Sequence, residues 1–358
     1  MMKETNAAKK VEELLDRRAK IQEYASTTHL HIALIEDETP EVIKLLLERG
    51  EDVNARSKFS KQTPLHFAAR HKKAHEVITL LLERGANINV QDESKKTPLH
   101  EATGWDGKPE VVALLLDRGA DIDSLDEDEN TPLHEAAGWD GKPEVVALLL
   151  DRGADINARN RYESTPLHEA AKRGRLEAIA LLLDRGADIN ARGGEGNTPL
   201  HEAVEFGVNP EVVALLLDRG ANINACGREG NTPLHEAVSS CKSAIIALLL
   251  DRGANINARG RYGNTPLHQA VELGVSSEVV ALLLDRGADM ESRDEFGCTP
   301  LHEAASNETP ELIAFLLDRG ADIESRDEFG ATPLDLAKEN EHLQGTDVLK
   351  RLEEAQHQ

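Results

Sequence analysis

The sequence predicts an all-α fold, a solenoid of stacked helix-turn-helix units joined by finger-like loops. The first observation is a repeat: Thr-Pro-Leu recurs nine times from Thr63 to Thr332, always at an interval of 33 or 34 residues. The second is that the apolar residues of each copy follow two short patterns with helical spacing. The third concerns the 14 prolines, of which nine follow the repeated Thr and five precede a Glu, so that none interrupts a helix. One helix pair cannot bury its apolar face alone, so such units have to stack.

The chain begins with a predicted amphipathic helix at residues 5–24, which would shield the first repeat. Its apolar positions have helical spacing: Val11, Leu14, Leu15 and Ile21. A degenerate copy of the repeat follows at Thr28-His29-Leu30-His31, 35 residues before Thr63. The sequence therefore contains ten copies that fill the chain from about residue 25 to the end.

Each full copy consists of a short inner helix, an outer helix with a larger apolar face, and a loop. The repeated Thr is a good N-cap, because its hydroxyl accepts from an unpaired N–H of the first turn, and Pro suits the next position. In one copy the inner helix carries Leu133 and Ala136–Ala137, and the outer helix carries Val145–Val146 and Leu148–Leu150. The outer helix ends in Asp-Arg-Gly or Glu-Arg-Gly, whose Gly suits a left-handed C-terminal cap.

The last copy differs from the others and is predicted to close the stack. Asp335 replaces the His that follows Thr-Pro-Leu, and the final helix, at 347–354, is more charged than the other outer helices. Polar terminal repeats keep a solenoid soluble. The predicted organisation is a capping helix at 1–24 and ten repeats at 25–358, the last of which, at about 330–358, acts as the C-terminal cap.

Two segments, Thr-Pro-Leu-His-Glu-Ala-Ala and Leu-Leu-Leu-Asp-Arg-Gly-Ala-Asp-Ile-Asn, closely resemble the consensus of the ankyrin repeat. The resemblance covers the chain from about residue 25 onward. It implies an ankyrin α-solenoid of antiparallel helix pairs whose loops project as β-hairpin-like fingers. It also implies that a target would be held by the finger tips and by the exposed ends of the inner helices.

The composition argues against several functions. The chain has 65 acidic and 41 basic residues, and its formal charge of −24 disfavours binding to nucleic acid or to anionic membranes. The longest clean apolar run, Ala244–Leu250, is too short to cross a bilayer. The N-terminus lacks the apolar core of a signal peptide, and three scattered cysteines suit a reducing compartment. We therefore expect a cytoplasmic monomer without membrane insertion.

No catalytic, cofactor or metal site is predicted. Eight histidines, from His66 to His302, share one repeat position, where the resemblance implies hydrogen bonds around the Thr and the neighbouring loop. One His per repeat does not make a metal cluster. Asp126–Asn130 begins like a calcium loop, but the required Gly and Glu are missing. Gly193–Gly196 lacks the Lys and the hydroxyl residue of a phosphate loop.

A Glu follows the repeated His in six copies, and stacked repeats would align these side chains into a row of carboxylates along the inner-helix surface. The six are Glu101, Glu135, Glu169, Glu202, Glu236 and Glu303. A Glu in the first turn also interacts favourably with the helix dipole, by about 0.3–1 kcal/mol. The row is therefore interpreted in two ways, as helix stabilisation and as a candidate recognition surface.

Eight of the 11 aromatic residues occupy positions that the ankyrin family uses for contact. Five are at the predicted finger tips, three or four residues before the Thr: Phe59, Tyr162, Tyr262, Phe296 and Phe329. Three are at the end of the inner helix, eight residues after the Thr: Trp105, Trp139 and Phe206. These three occur in 34-residue copies with an extra residue between the helices, so packing into the longer turn is an alternative to partner contact.

The sequence thus predicts a non-catalytic scaffold or adaptor that binds a protein partner through a concave surface of inner helices and finger loops. The negative charge predicts a basic contact face on that partner and an association that depends on salt. Three alternatives remain open. They are a secreted, host-directed effector of a symbiont or pathogen, a regulatory fragment of a larger multidomain protein or enzyme, and a structural spacer without a dedicated partner.

Overall fold

The computed structural model describes residues 2–18, 28–104, 107–139, 142–206, 209–307 and 309–355. All regular secondary structure in these ranges is helical, which confirms the predicted all-α class. Two residues singled out from the sequence, Ile21 and Trp105, lie outside the described residues, as do residues 19–24 of the predicted N-terminal helix.

The described helices form one N-terminal helix followed by inner and outer helices in alternation. The first is α1 (Met2–Arg18). The inner helices are α2 (His29–Ile35), α4 (Pro64–Arg70), α6 (Pro98–Thr103), α8 (Pro132–Gly138), α10 (Pro166–Lys172), α12 (Pro199–Glu205), α14 (Pro233–Ser239), α16 (Pro266–Glu272), α18 (Pro300–Ser306) and α20 (Pro333–Glu339). The outer helices are α3 (Pro40–Glu48), α5 (Ala74–Glu83), α7 (Pro109–Asp117), α9 (Pro143–Asp151), α11 (Leu176–Asp184), α13 (Pro210–Asp218), α15 (Ser243–Asp251), α17 (Ser277–Asp285), α19 (Pro310–Asp318) and α21 (Asp347–Ala355). Single 3-10 turns occur at Arg228–Gly230, Arg261–Gly263 and Glu341–Leu343.

The chain divides into two compact units. The N-terminal unit comprises residues 1–170 and 175–188, and the C-terminal unit comprises residues 171–174 and 189–358. In the N-terminal unit α4 packs between α2 and α6, and α5 packs between α3 and α7. In the C-terminal unit α16 packs between α14 and α18, and α17 packs between α15 and α19. Each unit is therefore an α-solenoid with a layer of inner helices and a layer of outer helices.

Small and branched apolar side chains fill the core of each repeat. In the fourth repeat the completely buried residues are Leu133, Ala136, Ala137, Val145, Val146 and Leu149. Each fully buried Leu or Val stabilises the fold by about 1.5–3 kcal/mol relative to exposure. Leu148 and Leu150, which the pattern also placed on the apolar face, are only half-buried. The reason is that positions 145, 146 and 149 share one helical face, which packs on α8.

Backbone geometry at the helix ends follows the residue types that the sequence provides. Thr131 is extended, with φ of −85° and ψ of 165°, and caps α8, whose first residue is Pro132. After α9, Gly153 has a φ of +90°, in the left-handed region that favours glycine. The backbone N–H groups of Gly153 and Ala154 donate to Leu150 and Leu149 carbonyls at 3.1 and 3.0 Å. These bonds satisfy carbonyls that the end of the helix would otherwise leave unpaired.

Ion pairs connect neighbouring outer helices within each unit, because the Arg after one outer helix reaches the last Asp of the preceding one. The pairs are Arg152–Asp117 at 2.8 Å and Arg185–Asp151 at 2.7 Å in the N-terminal unit. They are Arg252–Asp218 at 2.6 Å, Arg286–Asp251 at 2.7 Å and Arg319–Asp285 at 2.8 Å in the C-terminal unit. Each exposed pair contributes about 0–1 kcal/mol, so their main effect is to neutralise charge along the outer helices.

The N-terminal helix α1 packs on the first repeat. It begins at Met2, three residues earlier than the sequence pattern predicted, and it contacts α2 and α3. Val11 and Leu14 are completely buried in this contact, whereas Leu15 is half-buried. No described helix is long and apolar enough to cross a membrane.

In the last repeat, the start of the inner helix α20 is capped with the help of an Asp in place of the usual His. Asp335 stands where the other repeats have His, and its Oδ2 accepts hydrogen bonds from the backbone N–H of Thr332 at 2.9 Å and from the Thr332 hydroxyl at 2.8 Å. These bonds lower the pKa of the Asp335 carboxyl. The charged helix α21 still buries Leu349 and Leu352 against α19 and α20.

Candidate partner-binding surface

The buried histidines link each inner helix to the next finger loop. Nδ1 of His66 accepts a hydrogen bond from the backbone N–H of Thr63 at 3.1 Å. Because Nδ1 is an acceptor, the ring proton lies on Nε2, which donates to the carbonyl of Lys96 at 2.9 Å. Equivalent Nε2 bonds are made by His100, His134, His201, His235, His268 and His302. The histidines thus fix the loops that carry the candidate contact residues.

Burial keeps these imidazole rings neutral. Loss of solvent lowers the pKa of His134, His201 and His235 to about 4. A neutral ring with one donor and one acceptor matches the two hydrogen bonds described above. The role that the resemblance implied for the repeated histidines is therefore the one that their geometry supports.

Hydrogen bonds between neighbouring fingers keep the tips in register. In the N-terminal unit, Oδ1 of Asn54 accepts from the Asn87 backbone N–H at 2.9 Å near the base of the fingers. Nearer the tips, the Glu93 backbone N–H donates to the Ser60 carbonyl at 2.8 Å. The C-terminal unit has the same two kinds of bond, Asn255 N–H to Asn224 Oδ1 and Glu328 N–H to the Phe296 carbonyl.

The finger tips expose the aromatic side chains that the sequence placed there. The exposed fractions are 80% for Phe59, 60% for Tyr162, 49% for Tyr262, 46% for Phe296 and 85% for Phe329. Aromatic side chains that combine large apolar area with few rotatable bonds are common anchors of protein interfaces. Because these side chains are exposed, packing in the core of the fold does not explain why they are aromatic.

Two of the tips contact each other. The rings of Tyr262 and Phe296 have centroids 6.0 Å apart at an interplanar angle of 49°. The Arg261 guanidinium lies 4.6 Å from the Tyr262 ring centroid. Tyr262 itself has a φ of +52°, an uncommon conformation for a residue with a side chain. The C-terminal unit therefore presents a small aromatic cluster, whereas Phe59 and Tyr162 belong to separate fingers of the N-terminal unit.

The aromatics at the inner-helix ends are about half covered. Trp139 is 48% exposed and Phe206 is 44% exposed. The Lys172 ammonium lies 4.4 Å from the centroid of the Phe206 ring. Trp139 and Phe206 are thus each partly packed and partly exposed to solvent. Trp105 lies outside the described residues.

Trp139 lines a cavity of about 340 Å³ in the N-terminal unit. The other lining residues are Arg70, Lys96, His100, Glu101, Gly104 and Glu135. The Lys96 ammonium lies 2.8 Å from Oε1 of Glu135, and the Arg70 guanidinium lies 3.1 Å from Oε2 of Glu101. This part of the carboxylate row is therefore neutralised by cations of the same unit.

The pKa values of this group reflect both burial and pairing. Burial raises the pKa of the Glu101 carboxyl, although the charges of Arg70 and Lys96 act in the opposite direction. For Lys96, burial disfavours the charge, but the hydrogen bond and the charge of Glu135 outweigh it and raise the pKa of the ammonium. Lys96 is thus a cation held at Glu135, with Glu101 adding negative charge nearby.

The carboxylates of the C-terminal unit have other negative charges nearby, where those of the cavity in the N-terminal unit have cations. Burial raises the pKa of Glu303 to about 7, and the negative charges of Glu272 and Asp294 act in the same direction. Burial and the charge of Glu205 raise the pKa of Glu236, against a hydrogen bond from Asn231. Glu202 of this unit is half-buried, as is Glu169 of the N-terminal unit. The row therefore carries less negative charge at neutral pH than a count of its carboxylates suggests.

Asp294, Cys298 and Glu303 come together in the C-terminal unit, and their potential ligand atoms all lie within 4.8 Å of one another. Asp294 is 8% exposed. Burial, followed by the charge of Asp294, raises the pKa of the Cys298 thiol to about 12, so the thiol stays protonated. Sequence reasoning named Glu303 but missed Asp294 and Cys298. The sequence signal that could have pointed to them is the position of Cys298, directly before the repeated Thr299. The third repeat has Lys96 at that position.

Comparison with protein-family models agrees with this architecture. The model described as Ankyrin repeats (3 copies) matches residues 2–92, 30–126, 65–160, 99–193, 159–225, 226–294 and 267–356. These matches span nearly the whole chain, and the chain belongs to the ankyrin-repeat family. Ankyrin repeats generally mediate protein–protein interaction and are typically non-catalytic. A comparison with curated proteins found no match.

Proposed function

We propose that this ankyrin-repeat protein is a monomeric, non-catalytic scaffold or adaptor that binds a protein partner through its inner-helix and finger-loop surface. The observation that carries the proposal is the exposure of five aromatic side chains at finger tips, up to 85% for Phe329. The hydrogen bonds between fingers support it, because they hold the anchors in place before binding and reduce the entropy lost on association.

The partner's contact face is basic. The chain has a formal charge of −24, and the arginines that follow the outer helices are largely paired with aspartates of neighbouring outer helices. Charge complementarity steers association and makes its rate depend on ionic strength. The association rate constant should therefore fall by about tenfold or more between low and physiological salt.

Affinity capture with a matched control tests the proposal. The test variant replaces Tyr162, Tyr262, Phe296 and Phe329 with Ala. The control replaces Lys44, Glu83, Arg118 and Glu144 with Ala, which removes four exposed residues in or directly after outer helices and leaves the net charge unchanged. We expect the control to retain the partner and the aromatic variant to lose it. Retention by both variants would contradict the proposal.

A further inference from the structure

The cavity of about 340 Å³ lies at the ends of three consecutive inner helices of the N-terminal unit. Arg70 is the last residue of α4, Gly104 directly follows α6, and Trp139 directly follows α8. Helix α6 packs against both α4 and α8, so the cavity lies over the end of the middle helix. Its size is at the lower end of the about 300–1,000 Å³ typical of ligand sites, which suits a single side chain.

The cavity has this volume in part because Gly104 has no side chain. The same position, seven residues after the repeated Thr, carries a side chain in seven of the nine full repeats: Arg70, Lys172, Glu205, Ser239, Glu272, Ser306 and Glu339. Among the described residues, a Cβ added at Gly104 would meet only the His100 carbonyl oxygen, at 3.6 Å. At Gly138, the other glycine of the set, an added Cβ would lie 3.1 Å from the Cβ of Glu169. Gly104 therefore leaves open space, whereas Gly138 is closely packed.

The charged groups around the cavity are paired within the N-terminal unit. The Lys96 ammonium is 2.8 Å from Oε1 of Glu135, whose side chain is only 8% exposed. Oε2 of Glu101 is 3.1 Å from the Arg70 guanidinium, and its Oε1 accepts a hydrogen bond from Nε2 of Gln62 at 3.0 Å. The two cations and the two carboxylates therefore balance each other.

This balance favours an uncharged occupant. A cation in the cavity would approach Lys96 and Arg70, and an anion would approach Glu101 and Glu135, so neither would find a complementary field. A charge that leaves water without gaining a partner is unfavourable. The largest apolar surface that the cavity offers is the ring of Trp139, which is 48% exposed.

An aromatic side chain matches the Trp139 ring better than an aliphatic one. Two aromatic rings gain from offset or edge-to-face packing in addition to the apolar area that they bury. An aromatic side chain also has few rotatable bonds to fix, and anchors of this kind tend to pair with anchors on the partner.

We propose that the cavity between Arg70, Gly104 and Trp139 binds one uncharged aromatic side chain of the protein partner. The inference rests on the proposed function, since the partner supplies the side chain. It gives Trp139 a role in partner contact in addition to its packing in the turn. It also adds a neutral anchor to an association steered by charge, in keeping with interfaces whose apolar centre has a polar rim.

A defined probe tests the cavity without knowledge of the partner. N-acetyl-phenylalaninamide is added to the isotope-labelled full chain, and the indole N–H signal of Trp139 and the backbone amide signal of Glu135 are followed by NMR. The matched controls are the corresponding leucine, lysine and glutamate amides. We expect the phenylalanine probe to bind with a dissociation constant of about 1 mM. The leucine probe should bind at least about threefold more weakly, and the two charged probes at least about tenfold more weakly.

Two results with these probes would overturn the proposal. One is equal binding of the phenylalanine and lysine probes, which would mean that the Trp139 ring attracts a cation. The other is the absence of any shift of the Trp139 and Glu135 signals at about 10 mM of the phenylalanine probe.

Substitutions locate the binding at the cavity. Gly104→Met fills the open space and should weaken binding of the phenylalanine probe by about tenfold. Ser306→Met is its control, because it places the same side chain at the equivalent, exposed position of the C-terminal unit and should leave the binding unchanged. Trp139→Leu removes the aromatic wall and should weaken the binding by about threefold or more, which keeps the test valid if Gly104→Met does not fold. Wild-type probe binding by a folded Gly104→Met or Trp139→Leu protein would overturn the proposal.

Partner capture separates this inference from the proposed function. Both proposals expect the partner to be lost, from the four-aromatic finger variant in one case and from Gly104→Met in the other. Loss from the finger variant with full retention by Gly104→Met overturns the aromatic subsite and leaves the proposed function in place. Retention by both variants contradicts both.

Discussion

The two units place a glutamate at the same repeat position but surround it with opposite charges. In the N-terminal unit, Glu135 is paired with Lys96 at 2.8 Å. In the C-terminal unit, Glu303 has Glu272 and Asp294 as its charged neighbours, and its pKa rises to about 7. Two positions differ: Asn264 precedes the repeated Thr265 where Lys96 precedes Thr97, and Glu272 stands where the N-terminal unit has Gly104. A repeat fold can thus pair a carboxylate with an internal cation or leave it without one, with no change in the helices.

The C-terminal arrangement costs stability in the free protein. A desolvated carboxylate without a cation is unfavourable. Natural proteins often keep such costs where a site is used for binding, because optimising the fold there would remove the function.

Removal of the internal cation should have the largest effect. Lys96→Met leaves Glu135, whose side chain is 8% exposed, without its partner. We expect the free energy of unfolding of the N-terminal unit to fall by about 2 kcal/mol, less than for a fully buried pair because Lys96 is partly exposed. Urea unfolding followed by Trp fluorescence measures this, since both Trp residues of the chain belong to the N-terminal unit.

A double variant is the control for this result. Lys96→Met combined with Glu135→Gln removes both charges, and it should recover at least half of the loss, because no unpaired carboxylate remains. If the Lys96→Met protein were as stable as the wild type, the ion pair between Lys96 and Glu135 would not contribute to the stability of the N-terminal unit.

Glu303→Gln should raise the free energy of unfolding, by less than Lys96→Met lowers it, and the gain should depend on pH. The folded protein holds the Glu303 proton up to about pH 7, whereas the unfolded chain loses it near the ordinary value of 4.5. Between these values the folded state binds more protons, so this group's contribution to stability decreases as pH rises. Glu303→Gln should therefore be more stable than the wild type by about 1 kcal/mol at pH 8, a value reduced for partial solvation.

Thermal unfolding followed by circular dichroism measures this difference across the pH range. The stabilisation should shrink toward zero as the pH falls to about 4.5, where Glu303 is largely protonated in both states. A difference between variant and wild type that does not change with pH would contradict the raised pKa of Glu303.

The aromatic tips should show the smallest stability effects. Tyr262→Ala should lower the free energy of unfolding by about 0.5–1 kcal/mol, because its ring contacts Phe296 at 6.0 Å. Phe329→Ala should leave it within about 0.5 kcal/mol of the wild type, since the side chain is 85% exposed. Chemical denaturation of both variants provides the measurement, and a large loss for Phe329→Ala would mean that its role is structural.

The fold and the exposure of the finger-tip aromatics could be read from the sequence because the repeat fixes both. Thr131 before Pro132 and Gly153 after α9 determine where helices begin and end, and their spacing forces the stacking. The finger-tip exposure of Phe59 and Phe329 follows from the same register. For helix boundaries and finger-tip exposure, the sequence of one repeat predicts the structure of the others.

The charge environment could not be read in the same way. Six glutamates share one sequence position, yet Glu135 meets Lys96, 39 positions away in the preceding repeat, and Glu303 meets Asp294, nine positions away in the preceding finger loop. Asp294 and Cys298 look like ordinary loop residues until the stack brings them to Glu303. Pairing between repeats depends on which side chains coincide, and the repeat pattern itself does not contain that information.

The most direct test is the carboxyl titration of Glu303, followed by NMR in the wild type and in Asn264→Lys. This variant puts an ammonium 39 residues before Glu303, as Lys96 stands 39 residues before Glu135. We expect a pKa of about 7 for Glu303 in the wild type. In the variant the new ammonium should lower it by about 1–3 units, as expected for a carboxylate beside a cation. A Glu303 that titrates near 4.5 in the wild type, or at the same pH in both proteins, would contradict the account.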